Sequence, residues 1–139
     1  MGTPEDSATA AIVVAGDEET RVLLRGLLRL HHFRVDGEAE GATHALELLR
    51  DHRPQLLVAD VNLAEGSPSA LIAGARAILP QLRVILVAPA SRPPVPSPDA
   101  GQRPDVVLLR PFRIRQFAEA LAPPAKPSSP SPPDSSTPS

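Results

Sequence analysis

Three polar positions stand where apolar runs end, which is where a folded chain can bring reactive groups together. Asp60 closes the run Gln55 to Ala59 (QLLVA), Gly16-Asp17-Glu18-Glu19 follows Ala11 to Ala15 (AIVVA), and Arg110 follows Asp105 to Leu109 (DVVLL). A carboxylate at the end of such a run can cap a loop or pair with a cation. Asp17 has the type and place of a helix cap, with Glu18 and Glu19 opposing the positive end of the helix dipole. Those roles contribute ~0.5–2 kcal/mol for the cap and ~0.3–1 kcal/mol for each charge. Other chemistries are missing. The chain has no cysteine, so thiolate nucleophiles, thiolate zinc sites and disulfides fall away together. His31 and His32 are neighbours on the first helix that point to different faces. His44 and His52 lie two turns apart with no carboxylate in register, so no histidine metal site is expected. No glycine-rich phosphate loop and no Gly-x-Ser-x-Gly turn is present.

The elements that must position these groups alternate strand with helix. Runs at Ala11–Ala15, Phe33–Val35, Gln55–Ala59, Arg83–Ala88 and Asp105–Leu109 have strand length, and the nearly continuous ones suit strands covered on both faces. Helical spacing spans Glu18–His31, a helix follows Glu38–Gly41 over Ala42–His52, another spans Ser69–Leu79, and a closing one spans Ile114–Leu121. In the first of these, Val22, Leu23, Leu27 and Leu30 carry the apolar spacing, while Arg21, Arg25 and Arg29 recur on another, solvated face. This order predicts an α/β fold with a parallel sheet, right-handed crossovers and one crevice shared by the strands' carboxyl ends. Pro89–Pro104 (PASRPPVPSPDAGQRP) interrupts the pattern. Each interior proline costs a helix ~3 kcal/mol, so a fourth crossover helix should be missing or reduced. Residues 1–10 and the Pro/Ser-rich tail 122–139 are expected to be disordered, leaving one domain over residues 11–121.

Gly37-Glu38-Ala39-Glu40-Gly41, the helix Ala45-Leu46-Glu47-Leu48-Leu49-Arg50 and the run Arg53-Pro54-Gln55-Leu56-Leu57-Val58-Ala59-Asp60 resemble bacterial response-regulator receiver domains. Arg110-Pro111-Phe112 resembles their lysine-proline-phenylalanine signature. The resemblance covers about residues 11–121 and implies a CheY-like, flavodoxin-like doubly wound sheet of five parallel strands in the order 2-1-3-4-5. It implies a phosphoacceptor aspartate at Asp60, with Mg²⁺ held beside it by two acids at the end of the first strand. Those two positions fall on Ala15 and Gly16, and neither side chain can ligate a metal. Asp17 and Glu18 lie one and two places further on. Either a bulge swings one of them into the crevice, or they keep the capping roles given above. Asp60 and the Asn62 carbonyl alone would hold Mg²⁺ weakly, so no cofactor is expected.

Further positions implied by the resemblance are altered. The hydroxyl expected after the fourth strand falls on Ala88, and Ser91 follows three residues later in a proline-rich loop. The lysine position holds Arg110, a planar fork that can pair permanently with Asp60. Val107 stands at the position of an aromatic switch residue, and the Arg110-Pro111 peptide is expected to be cis. The resemblance thus predicts a degenerate, stand-alone pseudo-receiver that is not an enzyme. It would act through protein–protein interaction without phosphorylation, on a histidine kinase, another regulator or a copy of itself. The first helix, the proline-rich segment and the last helix would form its surface. The alternative is a phosphoacceptor at Asp60 in a phosphorelay; a nucleotide- or flavin-binding protein on the same scaffold is a third reading from fold alone.

Composition narrows the partners. A formal net charge of -2, no Trp or Tyr and only three Phe leave neither a basic patch nor an aromatic stacking surface, so no nucleic acid is expected. No apolar run approaches the ~20 residues of a membrane span, and Glu5 and Asp6 stand in the first ten residues, so a cytoplasmic protein without membrane contact is expected. Pro-x-x-Pro spacings at Pro124–Pro127 and Pro127–Pro130 fit a solvated tail or a polyproline ligand.

Overall fold

The computed structural model describes residues 9–95 and 98–122, so the readings of residues 1–8 and 123–139 lie outside the described residues. The elements run β1 (Ala10–Val14), α1 (Glu18–Leu30), β2 (Arg34–Ala39), α2 (Ala42–His52), β3 (Leu56–Asp60), α3 (Pro68–Ile78), β4 (Arg83–Pro89), a 3₁₀ turn (Ala100–Gln102), β5 (Val106–Arg110) and α4 (Ile114–Leu121). Every pairing is parallel, in the order β2-β1-β3-β4-β5. This is the flavodoxin-like arrangement.

Because side chains alternate across a strand, the sheet builds one core on each face. Ile12, Val14, Leu57, Ala59 and Leu86 meet α2 and α3 through Ala45, Leu49, Leu71 and Ile72. Val13, Val58, Ile85, Val87 and Leu108 meet α1 and α4 through Leu24, Leu28 and Phe117. Burying each Leu or Ile stabilises the fold by ~1.5–3 kcal/mol relative to leaving it exposed. No helix among the described residues is long and apolar enough to cross a membrane.

The structure corrects several boundaries. β1 begins at Ala10, one residue before the expected domain start. β2 starts at Arg34 instead of Phe33 and runs on to Ala39, past Glu38 where the turn into α2 is expected, as a register shift between Ala11 and Ile12 lets Gly37 to Ala39 keep pairing with β1. Gly37 also lets α2 sit close, since a Cβ there would meet the Leu48 methyl carbons at 3.1 Å. α1 ends at Leu30, so His31 and His32 leave the helix instead of sharing it. His31 is the C-cap and His32 has φ of 68°.

The packing of α1 differs as well. Its buried residues are Thr20, Leu24 and Leu28, while Val22, Leu23 and Leu30 of the predicted apolar set are exposed. The sheet selects the stripe below Asp17, and that leaves a second apolar stripe outside. Nor is the arginine face wholly solvated. Arg21 Nη1 donates to the Ala15 carbonyl at 2.8 Å and Arg25 pairs with Glu38 at 2.6 Å.

Between β4 and β5 only the 3₁₀ turn replaces a crossover helix among the described residues. The proline content accounts for it. As a result, Val107 and Leu109 are 40% and 38% exposed, although Leu108 between them is buried.

Candidate functional site

Asp60 is the last residue of β3 and is completely buried at the carboxyl edge of the sheet. Its Oδ2 accepts a hydrogen bond from Arg110 Nη1 at 3.0 Å, and its Oδ1 accepts one from the Asn62 backbone N–H at 3.2 Å. Arg110 ends β5, which pairs with β4, so its side chain reaches across the end of β4, where Ala88 is fully buried, to touch β3. The Arg110-Pro111 peptide is cis.

The same guanidinium lies 3.5 Å from Thr20 Oγ1, and the Thr20 hydroxyl in turn donates to the Asp17 carboxylate at 2.9 Å. Asp17 is the N-cap of α1, with Oδ2 accepting the Thr20 N–H at 2.9 Å. These two Thr20 hydrogen bonds, assisted by the positive field of Arg110, hold the Asp17 carboxyl below the ordinary range. Two carboxylates thus flank one cation, but Asp17 approaches Asp60 only through Thr20 and Arg110. Of the two readings of Asp17 and Glu18, the structure has the cap: Asp17 faces the helix start and Glu18 is exposed in its first turn.

Gly16 is closed from above. Its N–H donates to the Asn62 carbonyl at 2.8 Å, and a Cβ built there would lie 2.9 Å from that oxygen and 3.2 Å from Ala64 N. The β3–α3 loop that covers it is held from several sides. Ala64 N–H donates to Glu40 O at 2.8 Å, Ala42 N–H to Glu65 O at 3.1 Å, and Thr43 N–H to Glu65 Oε2 at 2.7 Å. Ser91 lies in an exposed turn beyond β4, and Val107 lies on the open face of β5.

The Mg²⁺ implied by the receiver resemblance does not fit these residues. Asp60 is the one carboxylate of the crevice in reach and already carries the Arg110 cation at 3.0 Å, while Ala15 and Gly16 supply no side-chain oxygen. Among the described residues no three His, Asp or Glu side chains form a group that could hold a metal ion. Octahedral Mg²⁺ needs several oxygen ligands within 2.0–2.1 Å or so.

Sequence reasoning missed two members of the site. Thr20 had a signal, since it stands three residues after the cap and its N–H is one of the orphan donors of a helix start. Glu65 had none, because its partner Thr43 is 22 residues away.

No protein-family model and no curated protein matches the chain. Solved structures do match it. A CheY-like response regulator receiver domain protein from Methanospirillum hungatei JF-1 superposes with a TM-score of 0.69 at 18% identity, covering 81% of this chain and 90% of its own. A CheY-like receiver domain from Methylobacillus flagellatus gives 0.71 at 21% identity, covering 83% and 97%. The signal receiver domain of the putative response regulator NarL from Mycobacterium tuberculosis gives 0.67 at 21% identity, covering 81% and 92%. At these identities the likeness is one of fold. The chain has the CheY-like receiver fold, with Arg110 closed on Asp60 in its crevice.

Proposed function

We propose that the protein is an atypical, cytoplasmic receiver-type signalling module that docks on a protein partner without being phosphorylated and performs no catalysis. The supporting observation is the Arg110–Asp60 pair, at 3.0 Å with Asp60 fully buried. Phosphoryl transfer to a carboxylate requires a free oxygen to attack and a divalent cation to neutralise the charge that accumulates between the two anions. Here Asp60 is fully buried with Arg110 paired to it, and the acid-pair positions that would hold the cation are Ala15 and Gly16. A phosphorylation switch also needs contacts that differ between two states. The contact to Asp60 that a phosphoryl group would have to displace is already made, and Ala88 and Val107 provide neither a hydroxyl nor an aromatic ring to respond. Such a module acts as a fixed surface, whose partner would be a histidine kinase, another regulator or a second copy.

Incubating the full chain with acetyl phosphate and Mg²⁺, followed by intact-mass measurement, tests this reading. The expected result is an unchanged mass. A stoichiometric gain of one phosphoryl group that disappears in Asp60→Ala would overturn it in favour of a phosphorelay role.

A further inference from the structure

On the α2–α3 side of the sheet, two crossovers carry helices of 11 residues each, and the third carries the 3₁₀ turn of three. The helix that would cover β4 and β5 is therefore replaced by a groove of about 650 Å³, floored by Leu86 and Val107 and walled by Ile72, Pro68 and Pro94. Arg92 and Arg103 stand on its rim, and no aspartate or glutamate is among the described residues that line it. Its apolar floor and basic rim suit a helix with an apolar ridge and an acidic residue at one end of it.

The chain itself presents such a ridge. On α1, Leu23, Leu27 and Leu30 recur at i, i+4 and i+7, so they share one strip of the helix surface. Leu23 is 49% and Leu30 61% exposed, while Leu27 between them is half-buried against the core shared with α4. Glu19 lies one turn before Leu23 in the same strip and is exposed. The 13 residues of α1 extend for about 20 Å, close to the ~17 Å of the five-residue β5.

We infer that the α1 ridge of one copy seats in the β4–β5 groove of a second copy, taking the place of the absent crossover helix and setting Glu19 against Arg92 and Arg103. The inference deepens the docking reading by naming the partner, and the variants that test it alter none of the residues that bond Asp60. Ridge and groove are different surfaces of one molecule, so the contact is heterologous: each copy keeps a free ridge at one end and a free groove at the other. Association proceeds head to tail and grows with concentration, instead of stopping at a two-fold dimer.

Sedimentation velocity of the full chain over a range of loading concentrations tests the inference, with circular dichroism melts confirming that each variant folds. The sedimentation coefficient should rise with concentration in the parent. Leu23→Glu, which blocks the ridge, and Val107→Asp, which blocks the groove, should each weaken association about tenfold or more. Leu30→Glu provides a second ridge variant should Leu23→Glu fold poorly. An equimolar mixture of the ridge and groove variants should form one-to-one dimers and nothing larger, because each retains the surface the other lacks. A parent that stays monomeric throughout overturns the inference and leaves the groove to another occupant. So does association that survives both variants, or a mixture that remains monomeric. The phosphodonor experiment decides the docking reading separately, so either can fail alone.

Discussion

The crevice around Asp60 and the groove beside β5 adjoin at Asn62, and they have gone opposite ways. In the crevice every polar group is answered: Asp60 by Arg110 and the Asn62 N–H, Gly16 by the Asn62 carbonyl, and Asp17 by Thr20. In the groove the sheet exposes Val107 and Leu109, which a helix would otherwise cover. The difference separates two things that the receiver fold normally combines, a reactive pocket and a surface that reports on it. In the proposed docking reading, an arginine that fills the pocket removes the need for a relay, and the missing crossover helix leaves apolar surface open beside β5.

The largest effect should come from two neighbouring residues of β5. Leu108→Ala removes a buried side chain from the core shared with α1 and α4, and is expected to cost about 3–4 kcal/mol. Val107→Ala, one residue away on the uncovered face, should cost less than about 1 kcal/mol. Urea denaturation midpoints of the two variants measure the contrast. At concentrations low enough to keep the chain monomeric, equal losses would mean that Val107 is as well covered as Leu108 within one copy and that the two faces of β5 are not different.

Next in size is Arg110→Ala. It leaves the Asp60 carboxylate buried with one backbone donor, and should cost about 3 kcal/mol, at the low end for a broken buried pair because the arginine side chain is 27% exposed. Adding Asp60→Ala to that variant should restore part of the loss, since the stranded charge is then gone. A double-mutant cycle in urea reads the coupling. Strict additivity would show that the crevice is not sealed by this pair.

The fold was legible because it is written locally. The β-branched runs, the helix over Ala42–His52, the Asp17 cap and the prolines of 89–104 each act within a few residues, and their order leaves few topologies. The Arg110–Asp60 pairing was legible only through the receiver resemblance, since the two residues are 50 apart. What stayed hidden depended on tertiary choice. α1 has more apolar positions than one buried stripe can use, and the sequence does not say that Leu24 and Leu28 would be taken in place of Leu23 and Leu30. Likewise β2 reads as ending at Val35, because Asp36, Gly37 and Glu38 have poor strand propensity, which pairing with β1 overrides.

Restoring an acid to the first strand's end is a sharper test of the crevice. Gly16→Asp places a Cβ against the Asn62 carbonyl and Ala64 N, so the β3–α3 loop must move, at a cost of about 2 kcal/mol. The melting temperature should fall, and adding Mg²⁺ should not recover it. Recovery by Mg²⁺, but not by the same concentration of a monovalent salt, would mean that the loop yields easily and that one carboxylate separates this crevice from a metal site.

The smallest effect belongs to Asp17, where the crevice meets α1. Asp17→Ala removes the cap and should cost about 1 kcal/mol. Asp17→Asn keeps a capping oxygen but loses the charge, so it isolates the electrostatic part. Because Thr20 and then Arg110 hold the folded-state carboxyl below the ordinary range, the charge contributes stability above that range and loses it as the pH falls through the lowered folded-state value. The parent should therefore lose more stability than Asp17→Asn on acidification, and the two curves should converge at low pH. The gap should narrow with salt to the extent that Arg110 is responsible, while the Thr20 hydrogen bonds are little screened. A gap that is insensitive to salt would assign the shift to Thr20 alone and confine the influence of Arg110 to Asp60.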